Sequence, residues 1–170
     1  MLTRIVTAVS ILCLVLPAAG FAQGFSQGDK VVTLNGTGQS DRGFDNTAFN
    51  ISGSLGYFLT DRIEAAIRQA VGFSDVGDGN HWMGSTRVAL DYDFDLGRVW
   101  PFVGGNIGYA YGRGVNDTGV IGPEVGVRVF VNNTTFIVGS AEWDFLFDNG
   151  SHNTIKDSFF NYSLGIGFRW

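Results

Sequence analysis

Cysteine is almost missing from this chain: Cys13 is the single one, set inside an apolar run near the N-terminus. That excludes a disulfide-stapled scaffold and a cysteine-rich metal fold. No small residue precedes Cys13, so a lipid-anchored cysteine is not expected. Basic charge is also short, with 11 lysines and arginines against 16 acidic residues and a net charge of −5. A nucleic-acid partner calls for a basic surface, so none is expected. The histidines are only 2, His81 and His152, both in polar stretches. Past Ala22 no apolar run approaches the roughly 20 residues that a membrane helix needs. A chain of this kind can cross a membrane only with strands.

The N-terminus does contain Arg4, an apolar run from Ile5 to Leu16, and then Pro17-Ala18-Ala19-Gly20-Phe21-Ala22. A positive start, a short apolar stretch and small residues at Gly20 and Ala22 make a secretory signal peptide, with cleavage expected after Ala22. The expected organisation is a signal peptide over 1–22 and one domain over 23–170. That domain holds no cysteine, so an exported chain must close through sheet and packing alone. Residues 23–29 read as a short polar lead-in.

Glycine (25 residues) and aromatics (14%) are plentiful. The last stretch shows how they are used. Phe160, Tyr162, Leu164, Ile166, Phe168 and Trp170 alternate with Asn161, Ser163, Gly165, Gly167 and Arg169. A period of two is a strand with one greasy and one wet face. An open aromatic edge at a terminus invites aggregation, and closing the sheet removes the edge. A membrane-spanning strand needs about 9–11 residues, which this stretch supplies. It resembles the closing strand of bacterial outer-membrane proteins. The resemblance implies that the six apolar positions serve as the signal read by the barrel-assembly machinery.

Seven further alternating stretches precede it: Lys30 to Gln39, Thr47 to Leu59, Ile63 to Phe73, Gly84 to Phe94, Val99 to Tyr111, Val120 to Val131 and Thr135 to Phe147. Short turns are expected at Thr60-Asp61-Arg62, Asp95-Leu96-Gly97-Arg98 and Asn132-Asn133-Thr134. Longer loops are expected at Ser40 to Asn46, Ser74 to Met83, Gly112 to Gly119 and Asp148 to Asp157. Long and short connections alternate, as in outer-membrane barrels with short periplasmic turns and longer outer loops. The predicted fold is an all-β, eight-stranded, antiparallel up-and-down transmembrane β-barrel. Over nearly the whole mature chain it resembles the small OmpA/OmpX-type, opacity-protein-like barrels. Gly56-Tyr57-Phe58-Leu59-Thr60-Asp61 and Gly122-Pro123-Glu124-Val125-Gly126-Val127 share that look.

The predicted outer face is aliphatic in mid-strand with aromatics near both ends. Tyr57, Tyr92, Phe94, Phe168 and Trp170 lie near the short turns. Phe49, Phe73, Tyr109, Tyr111, Phe145, Phe147 and Phe160 lie near the long loops. Aromatic girdles around an apolar band match a bilayer. Gln69 is an exception on this face. The other face carries Glu64, Arg68, Arg87, Asp91, Asp93, Glu124, Arg128, Glu142, Asp144 and Arg169, among the glycines Gly104, Gly108, Gly126, Gly165 and Gly167 and the phenylalanines Phe58, Phe102, Phe130 and Phe159. On the lipid side an arginine or lysine at mid-depth costs roughly 2–4 kcal/mol, so these charges are expected in the lumen. Around the Asn132–Thr134 turn, Glu124 falls opposite Glu142, and the pair needs a cation between them or a proton on one. Arg87 and Arg128 are the expected cations there, with Arg68 serving Asp91. Such side chains plug a narrow tube, because eight strands enclose only enough room for side chains.

The functional expectation is a small envelope protein of the bacterial outer membrane, structural or surface-interacting. Its partners are the bilayer, lipopolysaccharide and a surface partner met by four loops, and it is expected to be a monomer. No cofactor, metal or catalytic residue is assigned. Asp75-Val76-Gly77-Asp78-Gly79-Asn80 only loosely resembles a calcium loop and lacks its bidentate glutamate. A lipid-modifying enzyme built on His81 or His152 is the alternative, although no spacing joins nucleophile, base and acid. A narrow gated pore is the weaker alternative.

Overall fold

The computed structural model of the chain describes residues 24–40, 47–75, 80–112, 118–147 and 155–170. The expected signal peptide, His152 and most of the long loops fall outside the described residues, as do the side chains of His81 and Phe159.

Eight strands follow in order: β1 (Lys30–Ser40), β2 (Thr47–Phe58), β3 (Ile63–Asp75), β4 (Asn80–Asp93), β5 (Val99–Gly112), β6 (Thr118–Phe130), β7 (Thr135–Phe147) and β8 (Ile155–Arg169). Each pairs antiparallel with its chain neighbour, and β8 returns to β1, so the sheet is a closed barrel. Alternation dictates this outcome, because a sheet with charge on one face and lipophilic groups on the other satisfies both only when rolled up. The closing pair runs from Val31↔Arg169 to Gly36↔Leu164. At its lower end Lys30 and Trp170 exchange two backbone hydrogen bonds, each 3.0 Å.

Each short turn is held by a side-chain oxygen near its start. Thr60 Oγ1 accepts from the Ile63 amide at 3.0 Å. Asp95 Oδ1 accepts from the Gly97 amide at 2.9 Å, and Gly97 has φ +82°, where a glycine is at ease. Asn132 Oδ1 accepts from the Thr134 and Thr135 amides, both at 2.9 Å. These are the Asx- and hydroxyl-type turns that favour Asp, Asn and Thr between strands.

The strands outrun their apolar alternation at the long-loop end. β3 and β4 still pair at Ser74↔His81 and Asp75↔Asn80, so His81 and Trp82 belong to β4 rather than to a loop. β8 begins at Ile155. Backbone ladders need no apolar side chain, so they continue where the greasy pattern has stopped. The β6–β7 ladder breaks between Ile121↔Phe145 and Glu124↔Glu142, where Pro123 has no amide hydrogen to give.

The lead-in is not simply polar. Phe25 is buried and stacks on Phe58 with ring centroids 4.2 Å apart. It also meets Phe130 at 5.0 Å, Trp100 at 5.3 Å and Phe136 at 5.5 Å. Gly24 passes so close to Trp100 that an added Cβ would lie 1.7 Å from the indole. The segment therefore corks the short-turn end of the barrel with an aromatic cluster.

Candidate functional site

Above that cork the lumen is charged, and its pairing is decided across the tube rather than along the wall. Neighbours in register carry the same sign: Arg68↔Arg87 and Glu64↔Asp91 on β3–β4, and Glu124↔Glu142 on β6–β7. Like charges directly opposite are unfavourable, so each must find its counter-ion elsewhere. Arg68 (β3) reaches Glu124 (β6) at 2.5 Å, Asp91 at 2.9 Å and Glu142 at 3.5 Å. Arg87 (β4) reaches Glu142 at 2.8 Å and Asp144 at 2.9 Å on β7. Arg128 (β6) reaches back to Glu64 at 2.5 Å, Asp93 at 2.8 Å and Asp91 at 3.2 Å.

These bridges vault over β5, whose inward positions Gly104 and Gly108 leave the room. A Cβ on Gly104 would sit 2.1 Å from Asp91 Oδ1, and one on Gly108 would sit 2.2 Å from the Thr86 carbonyl. Arg128 also lies over the ring of Phe102, 4.6 Å from its centroid, which joins the ionic layer to the aromatic one below.

One expected partner is corrected. The guanidinium between Glu124 and Glu142 is that of Arg68, and Arg128 makes no ion pair with either among the described residues. Arg87 does reach Glu142, and Arg68 does reach Asp91, as the sequence implies. Arg169 stands apart from the other charges. It donates to Asp29 Oδ2 and to the Gly24 carbonyl, both at 2.7 Å, and to the Asn133 carbonyl at 2.7 Å. The last residue of β8 thus latches the cork. The sequence reading missed Phe25, Trp100, Phe136 and Asp29. A lone aromatic beside Gly24 in a polar stretch was the available signal for Phe25.

The remaining wall, from β8 through β1 to β2, carries only small neutral groups at mid-height: Thr33, Asn35, Asn50, Ser52, Ser54 and Ser163. Ser163 and Ser140 hydroxyls share a hydrogen bond of 2.7 Å. Between this wall and the charged one lies a cavity of about 90 Å³, lined also by Glu64, Arg68, Glu124 and Glu142.

The outer surface is apolar all round. Leu55, Ile67, Val88, Ile107, Val125 and Ile137 are exposed in mid-strand. On β8 Phe160, Tyr162, Leu164, Ile166 and Phe168 face out, as does Trp170 just past its end, with Tyr162 70% and Leu164 67% exposed. Tyr57, Tyr92 and Phe94 are exposed near the short turns; Phe49, Phe73 and Tyr109 are exposed near the long loops. Tyr111, Phe145 and Phe147 are only half-exposed, as neighbouring rings such as Trp143 against Phe145, 5.2 Å apart, cover one another. Gln69 does lie outward, and its polar groups are spent within the surface. It donates to Tyr111 Oη at 2.8 Å and accepts from Thr86 Oγ1 at 2.7 Å.

No protein-family model matches this chain, and no curated protein matches it. Solved structures do. The chain is similar to the outer membrane protein OprG of Pseudomonas aeruginosa, at 13% identity and TM-score 0.60, covering 88% of this chain and 99% of that one. It is similar to Neisserial surface protein A, at 18% identity and TM-score 0.55, covering 83% and 94%. It is similar also to the outer membrane protein Ail of Yersinia pestis, at 14% identity and TM-score 0.55, covering 85% and 100%. With eight antiparallel strands closed on themselves, charge inside and lipophilic side chains outside, the chain has the fold of the small outer-membrane β-barrels of the OmpA/OmpX type.

Proposed function

We propose that this chain is an integral protein of the bacterial outer membrane, exported by its signal peptide, that acts as a structural or surface-interacting component of the envelope. The observation that carries the reading is the sorting of the two faces. Every described strand turns aliphatic and aromatic side chains outward, while the strand-borne carboxylates and guanidiniums of the network turn inward. A surface of this kind is stable against lipid and unstable in water. The aromatic cork and the vaulted ion pairs disfavour an open aqueous pore. Contact with lipopolysaccharide or a surface partner then falls to the four long loops, and the outward positions of β8 supply the barrel-assembly signal. The protein acts as a monomer in this reading, and it needs no cofactor.

The test is a gel on the detergent-folded mature protein, unboiled beside boiled, with protease added to intact cells in parallel. A mobility shift on boiling, with cleavage confined to the four long loops, is the expected result. A soluble periplasmic protein without a shift would overturn the membrane assignment.

A further inference from the structure

Among the described residues the sheet is least completely zipped where its first and last strands meet. Seven of the eight ladders run over ten to thirteen register positions, whereas the β1–β8 ladder holds six and stops at Gly36↔Leu164. Both strands go on beyond that point. Thr37 to Ser40 pair with β2 alone, and Phe160 to Ser163 pair with β7 alone, among the described residues. Strands rise about 3.3 Å per residue at a tilt of about 35–45°, so Gly36 stands about 15 Å above Lys30. The unzipped edges therefore fall in the loop-side half of an apolar band about 25 Å tall. Backbone groups left open there are strongly unfavourable, because lipid offers them no partner.

The lumen cavity reaches the same seam. Its lining includes Gly36 and Tyr162 beside the inward Asn35, Asn50, Ser52 and Ser163. Gly36 and Tyr162 belong to the outer faces of β1 and β8. Gly36 lies two places after exposed Leu34, and Tyr162 is the most exposed large aromatic or aliphatic side chain among the described residues. A cavity bounded by residues of both faces passes through the wall. A Cβ on Gly36 would meet nothing within 4 Å, so nothing crowds the slot from that side. Inside the slot stand neutral amides and hydroxyls; outside it Leu34, Tyr162 and Leu164 present hydrocarbon to the bilayer.

We propose that this slot docks a single-chain glyceride of the surrounding bilayer, its uncharged glycerol head inside the cavity and its hydrocarbon chain outside against Tyr162 and Leu164. The proposal rests on the membrane reading above. Polar groups within and apolar groups without, joined through one gap, match an amphiphile and no fully water-soluble or fully apolar molecule. The head is uncharged because Arg68, Glu124 and Glu142, the charged groups at the cavity, are engaged with one another. Its hydroxyls both donate and accept, so they suit serine and asparagine and also the open strand edges. Size agrees as well. The cavity holds about 90 Å³, and one water takes about 10–15 Å³ of such space, so a head of about six heavy atoms fits. The aromatic cork closes the short-turn side, which leaves the seam and the loop side as approaches.

The experiment is amide hydrogen exchange on the mature protein refolded into phosphatidylcholine vesicles, with and without 1-monooleoylglycerol. Methyl oleate, a chain without hydroxyls, and glycerol, a head without a chain, are separate arms. Without glyceride, the amides of residues 37–40 and 160–163 that face the seam should exchange at least about tenfold faster than those joining Val31–Gly36 to β8. Monooleoylglycerol should slow them saturably, and neither methyl oleate nor glycerol should. Gly36→Phe, which sets a ring over the slot, should abolish the slowing. Gly53→Phe, an equally open outward position on the next strand, should leave it intact. Asn50→Leu should weaken binding by about fivefold, the loss of one neutral hydrogen bond, and decides the matter where Gly36→Phe does not fold. Failure to insert into vesicles would defeat the membrane assignment and the slot together, whereas the following outcomes, in an inserted and heat-modifiable barrel, bear on the slot alone. Seam amides already as protected as those below would overturn the proposal, since the ladder is then zipped. So would equal slowing by methyl oleate, equal losses in Gly36→Phe and Gly53→Phe, or protection that rises with protein density and not with glyceride, which marks a second copy pairing on the open edges.

Discussion

At mid-height the lumen wall from β3 to β7 carries six carboxylates and three guanidiniums, whereas from β8 to β2 it carries serine, threonine, asparagine and glycine. Both walls are polar, and both back onto the same apolar exterior. They differ in how far their side chains reach. On the charged side, long arginines span the tube and tie β3 and β4 to β6 and β7, and the guanidiniums of Arg128 and Arg68 serve carboxylates on two and three strands respectively. On the neutral side, contacts stay local, such as the hydroxyl of Ser163 against that of Ser140 on the adjoining β7. One wall is braced and the other lines open space. That asymmetry is why the cavity lies between the ion-paired arginines and the neutral wall.

Substitutions can break the comparison in order of size. Arg128→Ala should be the most damaging, since it strands Glu64 and Asp93 and leaves Asp91 with Arg68 alone. Removing one partner of a buried ion pair costs about 3–5 kcal/mol. Urea unfolding followed by the gel shift would show it, and a loss below about 1 kcal/mol would mean that the brace contributes little. Gly104→Ala should come next. Its new Cβ would press on Asp91 Oδ1 at 2.1 Å and on the Leu90 carbonyl at 2.6 Å, so a loss of about 1–3 kcal/mol is expected from overpacking. Gly53→Ala is its control, because a Cβ there meets nothing within 4 Å. Equal losses at the two glycines would show that β-sheet glycines matter here for the backbone and not for the vaulted bridges. Ser163→Ala on the quieter wall should cost least, about 1 kcal/mol for one hydrogen bond. A loss as large as that of Arg128→Ala would erase the distinction between the walls.

Much of this architecture was legible in one dimension. The period of two, carried by runs such as Leu164, Ile166 and Phe168, gives strand and face together. The turn residues Thr60, Asp95 and Asn132 give the short connections. The register about the Asn132–Thr134 turn even places Glu124 beside Glu142. The arginine between them was not legible. Sequence register reports neighbours along the wall, and those neighbours carry like charge, so the counter-ion had to come from a strand three or four places away. Phe25 was hidden for a related reason. Its partners Phe58, Phe130 and Phe136 lie from 33 to 111 residues further along the chain, and no local pattern links a lone aromatic to a floor that exists only after closure.

What the chain alone determined is therefore which side chains turn in and which turn out, because pleating forces alternate residues to opposite faces whatever the sheet does next. Tertiary structure decided who meets whom inside. Closing eight strands brings β3 and β4 across from β6 and β7 at the length of an arginine, folds the lead-in back under Arg169, and leaves the remaining space beside the neutral wall. Those distances are properties of the closed tube, set by its strand number and stagger, and no single strand contains them.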